Sequence, residues 1–71
     1  MKKDTIALVV NGKREQLPVL GSLEALLQHY GLNRQIVMVE KNGSIIPREA
    51  FAQTELHDGD RLEIVHFVGG G

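Results

Sequence analysis

The chain has 71 residues, a formal net charge of −1 and a 42 % apolar composition, with no cysteine. That makes one domain near the lower size limit for unaided folding, too apolar for disorder and too evenly charged for a nucleic-acid or acidic-membrane partner. Without cysteine there is no disulfide, no Cys-ligated zinc site, no iron–sulfur cluster and no side-chain thiol nucleophile.

The first segment, Thr5–Val10, is β-branched and apolar, and Asn11-Gly12 follows at once. That dipeptide suits a type I′ hairpin turn, which needs positive φ at both central positions. A return strand over 13–17 ends at Pro18. The apolar run 6–10 is too short for a signal-peptide core, and no stretch reaches bilayer-spanning length, so the expected compartment is the cytoplasm.

Ser22 is placed to cap a helix over 22–30, with Glu24 where the helix dipole favours a negative charge. Leu23, Leu26, Leu27 and Tyr30 fall on one stripe of that helix. Gly31 suits the left-handed position just past its end, and Leu32 can fold back on the last turn. Residues 35–41, with Ile36, Val37, Met38 and Val39, read as a strand buried on both faces or nearly so. Asn42-Gly43 is a second hairpin turn, Ser44–Ile46 returns, and Pro47 stops the pairing. Residues 49–53 suit one irregular helical turn, and His57-Asp58-Gly59-Asp60 a tight turn. The last strand covers 61–68.

The order strand, strand, helix, strand, short strand, strand gives an α+β fold, a mixed sheet of four to five strands packed on one helix. With the first and last strands parallel and adjacent at its centre, that is a β-grasp, or ubiquitin-like, domain. It spans 1–68, and 69–71 form a flexible glycine tail.

Few residues offer chemistry. His29, His57 and His66 share no metal-ligand spacing, and Asp58 and Asp60 flank a glycine in a turn pattern, so no catalytic residue and no metal site is expected. Both Asn-Gly pairs belong to hairpins, which leaves no phosphate-binding glycine loop. There remains the ending, a regular strand running without a spacer into Gly69-Gly70-Gly71. Lacking Cβ atoms, these residues can thread a channel closed to any other residue type, and the expected reactive group is the Gly71 carboxylate. Along 61–68 side chains alternate. Leu62 and Ile64 face the helix, and Arg61, Glu63, Val65 and Phe67 face away. Unless a loop covers them or the register shifts by one, Val65 and Phe67 then form an exposed apolar patch for a partner.

The fragments "VEKNGSIIPRE" and "LHDGDRLEIVHFVGGG", with the Asn-Gly hairpin after a short first strand, resemble the ThiS family, bacterial sulfur carriers of thiamin biosynthesis, over nearly the whole chain. The resemblance implies a non-enzymatic carrier that binds no cofactor itself. An E1-like enzyme using Mg-ATP adenylates its terminal glycine, a sulfur-donor protein converts the adenylate to a thiocarboxylate, and thiazole synthase accepts the sulfur. The family's Gly-Gly maps onto Gly70 and Gly71, and Gly69 lengthens the arm. Three rivals stay open. The small subunit of molybdopterin synthase shares the fold and tail, although His66-Phe67-Val68 is more like the thiamin carriers. The others are a ubiquitin-like protein modifier and a passive β-grasp interaction domain.

Overall fold

In the computed structural model, which describes residues 5–66, both Asn-Gly pairs close two-residue hairpins. Asn11 and Gly12 have φ of 51° and 81°, and Asn42 and Gly43 have 52° and 88°, the doubly positive backbone of the turn that matches strand twist. The first turn joins β1 (Thr5–Val10) to β2 (Lys13–Pro18), and the second joins β3 (Val37–Lys41) to β4 (Ser44–Ile46). Pro18 still pairs with Thr5 at the edge of the sheet, where an edge strand tolerates its missing N–H.

Between the hairpins lies α1 (Leu23–His29). The Ser22 hydroxyl accepts the Ala25 N–H at 3.1 Å, relieving one of the donors a helix start leaves unpaired. At the other end the Gly31 N–H donates to the Gln28 carbonyl at 3.0 Å and the Leu32 N–H to the Leu27 carbonyl at 2.8 Å. These two bonds close the helix, and Leu32 packs against the core.

β5 (Arg61–His66) enters the middle of a five-stranded sheet ordered β2-β1-β5-β3-β4. It runs parallel to β1 and antiparallel to β3, the central parallel pair of the β-grasp. Leu62 on β5, Val37 and Val39 on β3, Leu8 on β1 and Leu23, Leu26 and Leu27 on α1 are buried together, and Phe51 closes the layer from below. A 3-10 helix, Arg48–Gln53, delivers Phe51, in place of the single irregular turn expected over 49–53.

The structure corrects the strand expected over 35–41. Residues Arg34–Ile36 form a 3-10 turn and β3 begins at Val37. The Asn33 side chain accepts the Gln35 N–H at 2.8 Å. Arg48 then takes the carbonyls of Arg34 and Gln35, at 2.8 and 3.3 Å. The carbonyls of Arg34 and Gln35 thus turn to Arg48 and not to a neighbouring strand. Ile36 is exposed as a result, and Met38 and Glu40 are only half-buried, so β3 covers one face of the sheet and not both.

Candidate functional site

The chain leaves the described region through β5, and much of the polar side-chain chemistry of the fold holds that strand. β1 pairs with β5 only at Val9↔Arg61 and Val10↔Leu62. Asn11 then extends the ladder: its N–H donates to the Leu62 carbonyl at 2.8 Å. Its side-chain oxygen accepts the Ile64 N–H at 2.7 Å, and its Nδ2–H donates to the Ile64 carbonyl at 3.2 Å. Asn42 does the same at the start of the strand, its Oδ1 accepting the Arg61 N–H at 2.9 Å. Each hairpin asparagine therefore serves twice, as the residue that tolerates positive φ and as a side-chain clamp on β5. Sequence reasoning saw only the first role. The signal that could have exposed the second is symmetry, since each Asn-Gly follows a strand flanking β5.

The Asp58–Asp60 turn is likewise more than a turn. Asp58 Oδ1 accepts the Ala7 N–H at 2.8 Å, tying the loop to β1. Asp60 is 9 % exposed. Its carboxylate accepts the His57 N–H at 2.8 Å and the Asn42 Nδ2–H at 3.0 Å, and so orients the Asn42 clamp.

Along β5 the alternation follows expectation. Leu62 is fully buried, Ile64 packs on the core, and Arg61, Glu63 and Val65 are exposed on the opposite face. Val65 is 48 % exposed and pairs across the strands with Met38. Ile45, 61 % exposed, is on β4 opposite Glu40, which itself pairs with Glu63. The open face thus carries Val65 and Met38 towards the end of β5, and behind them a row of Glu63, Glu40 and Ile45. Met38 and Ile45 were missed in the sequence because their neighbourhood depends on strand order. Phe67, Gly69, Gly70 and Gly71 lie outside the described residues, as does the expected continuation of the strand to 68.

On the other side of the sheet, at the same end of β5, a cavity of about 410 Å³ is lined by Val10, Glu15, Tyr30, Leu32, Ile64 and His66, among others. The Tyr30 hydroxyl is sealed from solvent with no hydrogen-bond partner. Burial pushes its phenol above the ordinary tyrosine range, and the Glu15 carboxylate adds to the same direction. A raised folded value means that the neutral phenol stabilises the fold. That contribution is complete below the unfolded pKa of about 10 and is lost as pH climbs through the folded value. Tyr30 is the single tyrosine, so phenolate absorbance reports it alone. Its midpoint is expected above that of a model tyrosine peptide, and Tyr30→Phe should flatten the alkaline loss of stability. A midpoint at or below the peptide value would contradict this placement.

The three histidines sit apart. His29 meets Tyr30 edge to face at 5.7 Å, and His66 lines the cavity. His57 has Glu55 at 3.6 Å and Asp60 at 3.9 Å. Among the described residues no three His, Asp or Glu side chains gather into a metal-ligand set, and no helix is long and apolar enough to cross a membrane.

Comparison with known proteins supplies the context for this geometry. A sequence model described as the ThiS family matches residues 3–71. The chain is 51 % identical over 51 residues to the sulfur carrier protein ThiS of Bacillus subtilis, covering 72 % of this chain and 77 % of that one. It is 44 % identical over 64 residues to a thiazole synthase of Paramagnetospirillum magneticum, covering 90 % of this chain but 20 % of the synthase. The crystal structure of the thiamine biosynthesis protein ThiS from Geobacter metallireducens superposes with a TM-score of 0.78 at 36 % identity, over 93 % of this chain and 100 % of that one.

Proposed function

Because the chain belongs to the ThiS family, we propose that it is a sulfur carrier for the thiamin thiazole ring whose Gly71 carboxylate is the group activated and loaded. The observation that supports this reading most directly is that the family match runs through residue 71. The same match favours the thiamin branch over the molybdopterin one left open by the sequence.

The chemistry follows from the carboxylate. It is a poor electrophile, so its oxygen attacks the α-phosphorus of Mg-ATP and displaces pyrophosphate. A sulfur nucleophile then attacks the acyl carbon, AMP leaves, and a thiocarboxylate remains. In this scheme the E1-like enzyme supplies the Mg-ATP site, a donor protein the sulfur, and thiazole synthase the acceptor. The chain itself contributes no catalytic group; it is a handle and an arm. The thiazole synthase relatives, of which the chain spans about a fifth, suggest an arrangement in which carrier-like and acceptor segments share one polypeptide. The test is direct. The chain, its activating enzyme, Mg-ATP and a sulfide source should yield a product with the mass of an oxygen-to-sulfur exchange at the last residue. An unchanged mass, with pyrophosphate exchange also absent, would overturn the proposal.

Docking precedes threading on energetic grounds. Ordering three glycines costs about 1–2 kcal/mol each, and they carry no side chains to offset it. Burying Val65 and Phe67 at about 25 cal/mol per Å² returns on the order of 5 kcal/mol. Phe67→Ala is therefore expected to weaken binding to the activating enzyme and to thiazole synthase by about ten- to a hundredfold, and Val65→Ala by less. Both should leave the melting temperature nearly unchanged, as suits an exposed side chain such as Val65. A large loss of stability with unaltered affinity would place Phe67 in the core instead.

A further inference from the structure

β5 has neighbours of unequal length. β3 accompanies it as far as Val37↔His66, whereas β1 stops at Val10↔Leu62 and turns away through Asn11-Gly12. The Asn11 side-chain amide then stands in for the next strand residue, bonding both the N–H and the carbonyl of Ile64. Main-chain groups of successive strand residues point to opposite edges. The carbonyl of Leu62 and both groups of Ile64 face the β1 side, and Arg61 faces Asn42 on the other. Counting on by two from Ile64, the N–H and C=O of His66 face the β1 side, past the point where β1 and Asn11 give out.

From these observations we infer that the enzyme which takes the tail lays an extended main-chain segment against β5 at His66, in the place β1 vacates. The inference rests on the carrier reading above and adds the mode of recognition. Strand addition needs an open edge and a pocket for alternate side chains, and both are present. The cavity of about 410 Å³ opens beneath this edge, walled by Val10, Tyr30, Leu32, Ile64 and His66. A segment running beside β5 at the usual spacing of about 4.8 Å turns every second side chain to one face of the sheet, so one of them enters that cavity. The sheet's outer edges carry devices that discourage pairing: β2 presents Lys13, Arg14 and Pro18, and β4 has three residues. The flank of β5 at His66 carries neither.

The experiment is amide hydrogen exchange on the full isotopically labelled chain, free and saturated with the activating enzyme. In the free chain the Ile64 and Val65 amides should be protected, by Asn11 and by β3, while the His66 amide exchanges close to the unprotected rate. In the complex His66 should slow by about tenfold or more, as one added main-chain hydrogen bond implies. His66→Pro removes that N–H without touching the β3-facing groups of Val65, and the extended backbone it imposes on Val65 is already present. It should bind about tenfold more weakly than His66→Gln, which keeps the N–H. A complex in which His66 stays unprotected overturns the inference, as does equal affinity of the two variants. Protection that rises with carrier concentration in the absence of enzyme assigns the flank to a second copy of the chain and overturns it too. Normal pyrophosphate exchange with an unprotected His66 leaves the carrier reading intact. Absence of both binding and exchange removes that reading, and this inference with it.

Discussion

Removing Gly71 is expected to reduce ATP–pyrophosphate exchange with the activating enzyme by about a hundredfold or more, with the melting temperature unchanged. This truncation is informative because the chain ends in three glycines. The shortened chain still finishes Gly69-Gly70, so the family's dipeptide survives and only its distance from the body changes, by about 3.3 Å. Distance matters because β5 is held where it emerges. Asn11 bonds both main-chain groups of Ile64, and β3 pairs with the strand through His66. A docked body therefore fixes the origin from which the arm is measured. In-line attack on the α-phosphorus requires the carboxylate within about 3–3.5 Å of the reacting atom, so a withdrawal of one residue removes it from range. Among the described residues the buried apolar core runs from Ile6 to Leu62, and the melting temperature is expected to follow that core. Undiminished exchange by the truncated chain would show that the motif suffices and that reach from the body is irrelevant. A bulky residue appended after Gly71 should fail as well, and for a different reason: it moves the carboxylate onward and places a Cβ in the channel.

How much of this was legible beforehand can be judged element by element. The hairpins were, because Asn-Gly imposes positive φ through local sterics alone. α1 was, because its cap, stripe and terminal glycine agree with one another. The start of β3 was not. Ile36 looks like a strand residue, and the decision against it is made by Arg48, twelve positions on, which takes the carbonyls of Arg34 and Gln35. Tertiary bonds of that kind leave no mark on periodicity. At the candidate site, the outward orientation of Val65 followed from alternation, whereas its companions Met38 and Ile45 required the strand order. The clamps were hidden for another reason. Asn11, Asn42 and Asp60 are all residues that turns favour, so a sufficient local explanation concealed the long-range one.

Asp60 carries the second large expectation. Asp60→Ala should lower stability by about 2–4 kcal/mol, since it strands the His57 N–H and the Asn42 amide, each at about 1–3 kcal/mol when buried. Lys41 adds little, because a pair at 4.0 Å with a partly exposed ammonium is a weak contributor. Against a total of about 4–10 kcal/mol for a domain of this length, that is a drop of about 10–25 °C in melting temperature. Asp60→Asn separates volume from acceptor count. It fills the same space, but one oxygen becomes an NH₂ that must face either the His57 N–H or the Asn42 Nδ2–H, donor against donor. It is therefore expected to recover less than half of the loss. The consequence reaches the functional strand, because Asn42 needs Asp60 to present its own oxygen to the Arg61 N–H. In Asp60→Asn, amide exchange at Arg61 should accelerate more than at Met38, which pairs with Val65 towards the far end of the same β3–β5 ladder. Denaturant unfolding of the two variants gives the energies, and exchange gives the location. If Asp60→Asn proved as stable as the parent, the carboxylate would be a turn residue after all, and the start of β5 would be held by its backbone ladder alone.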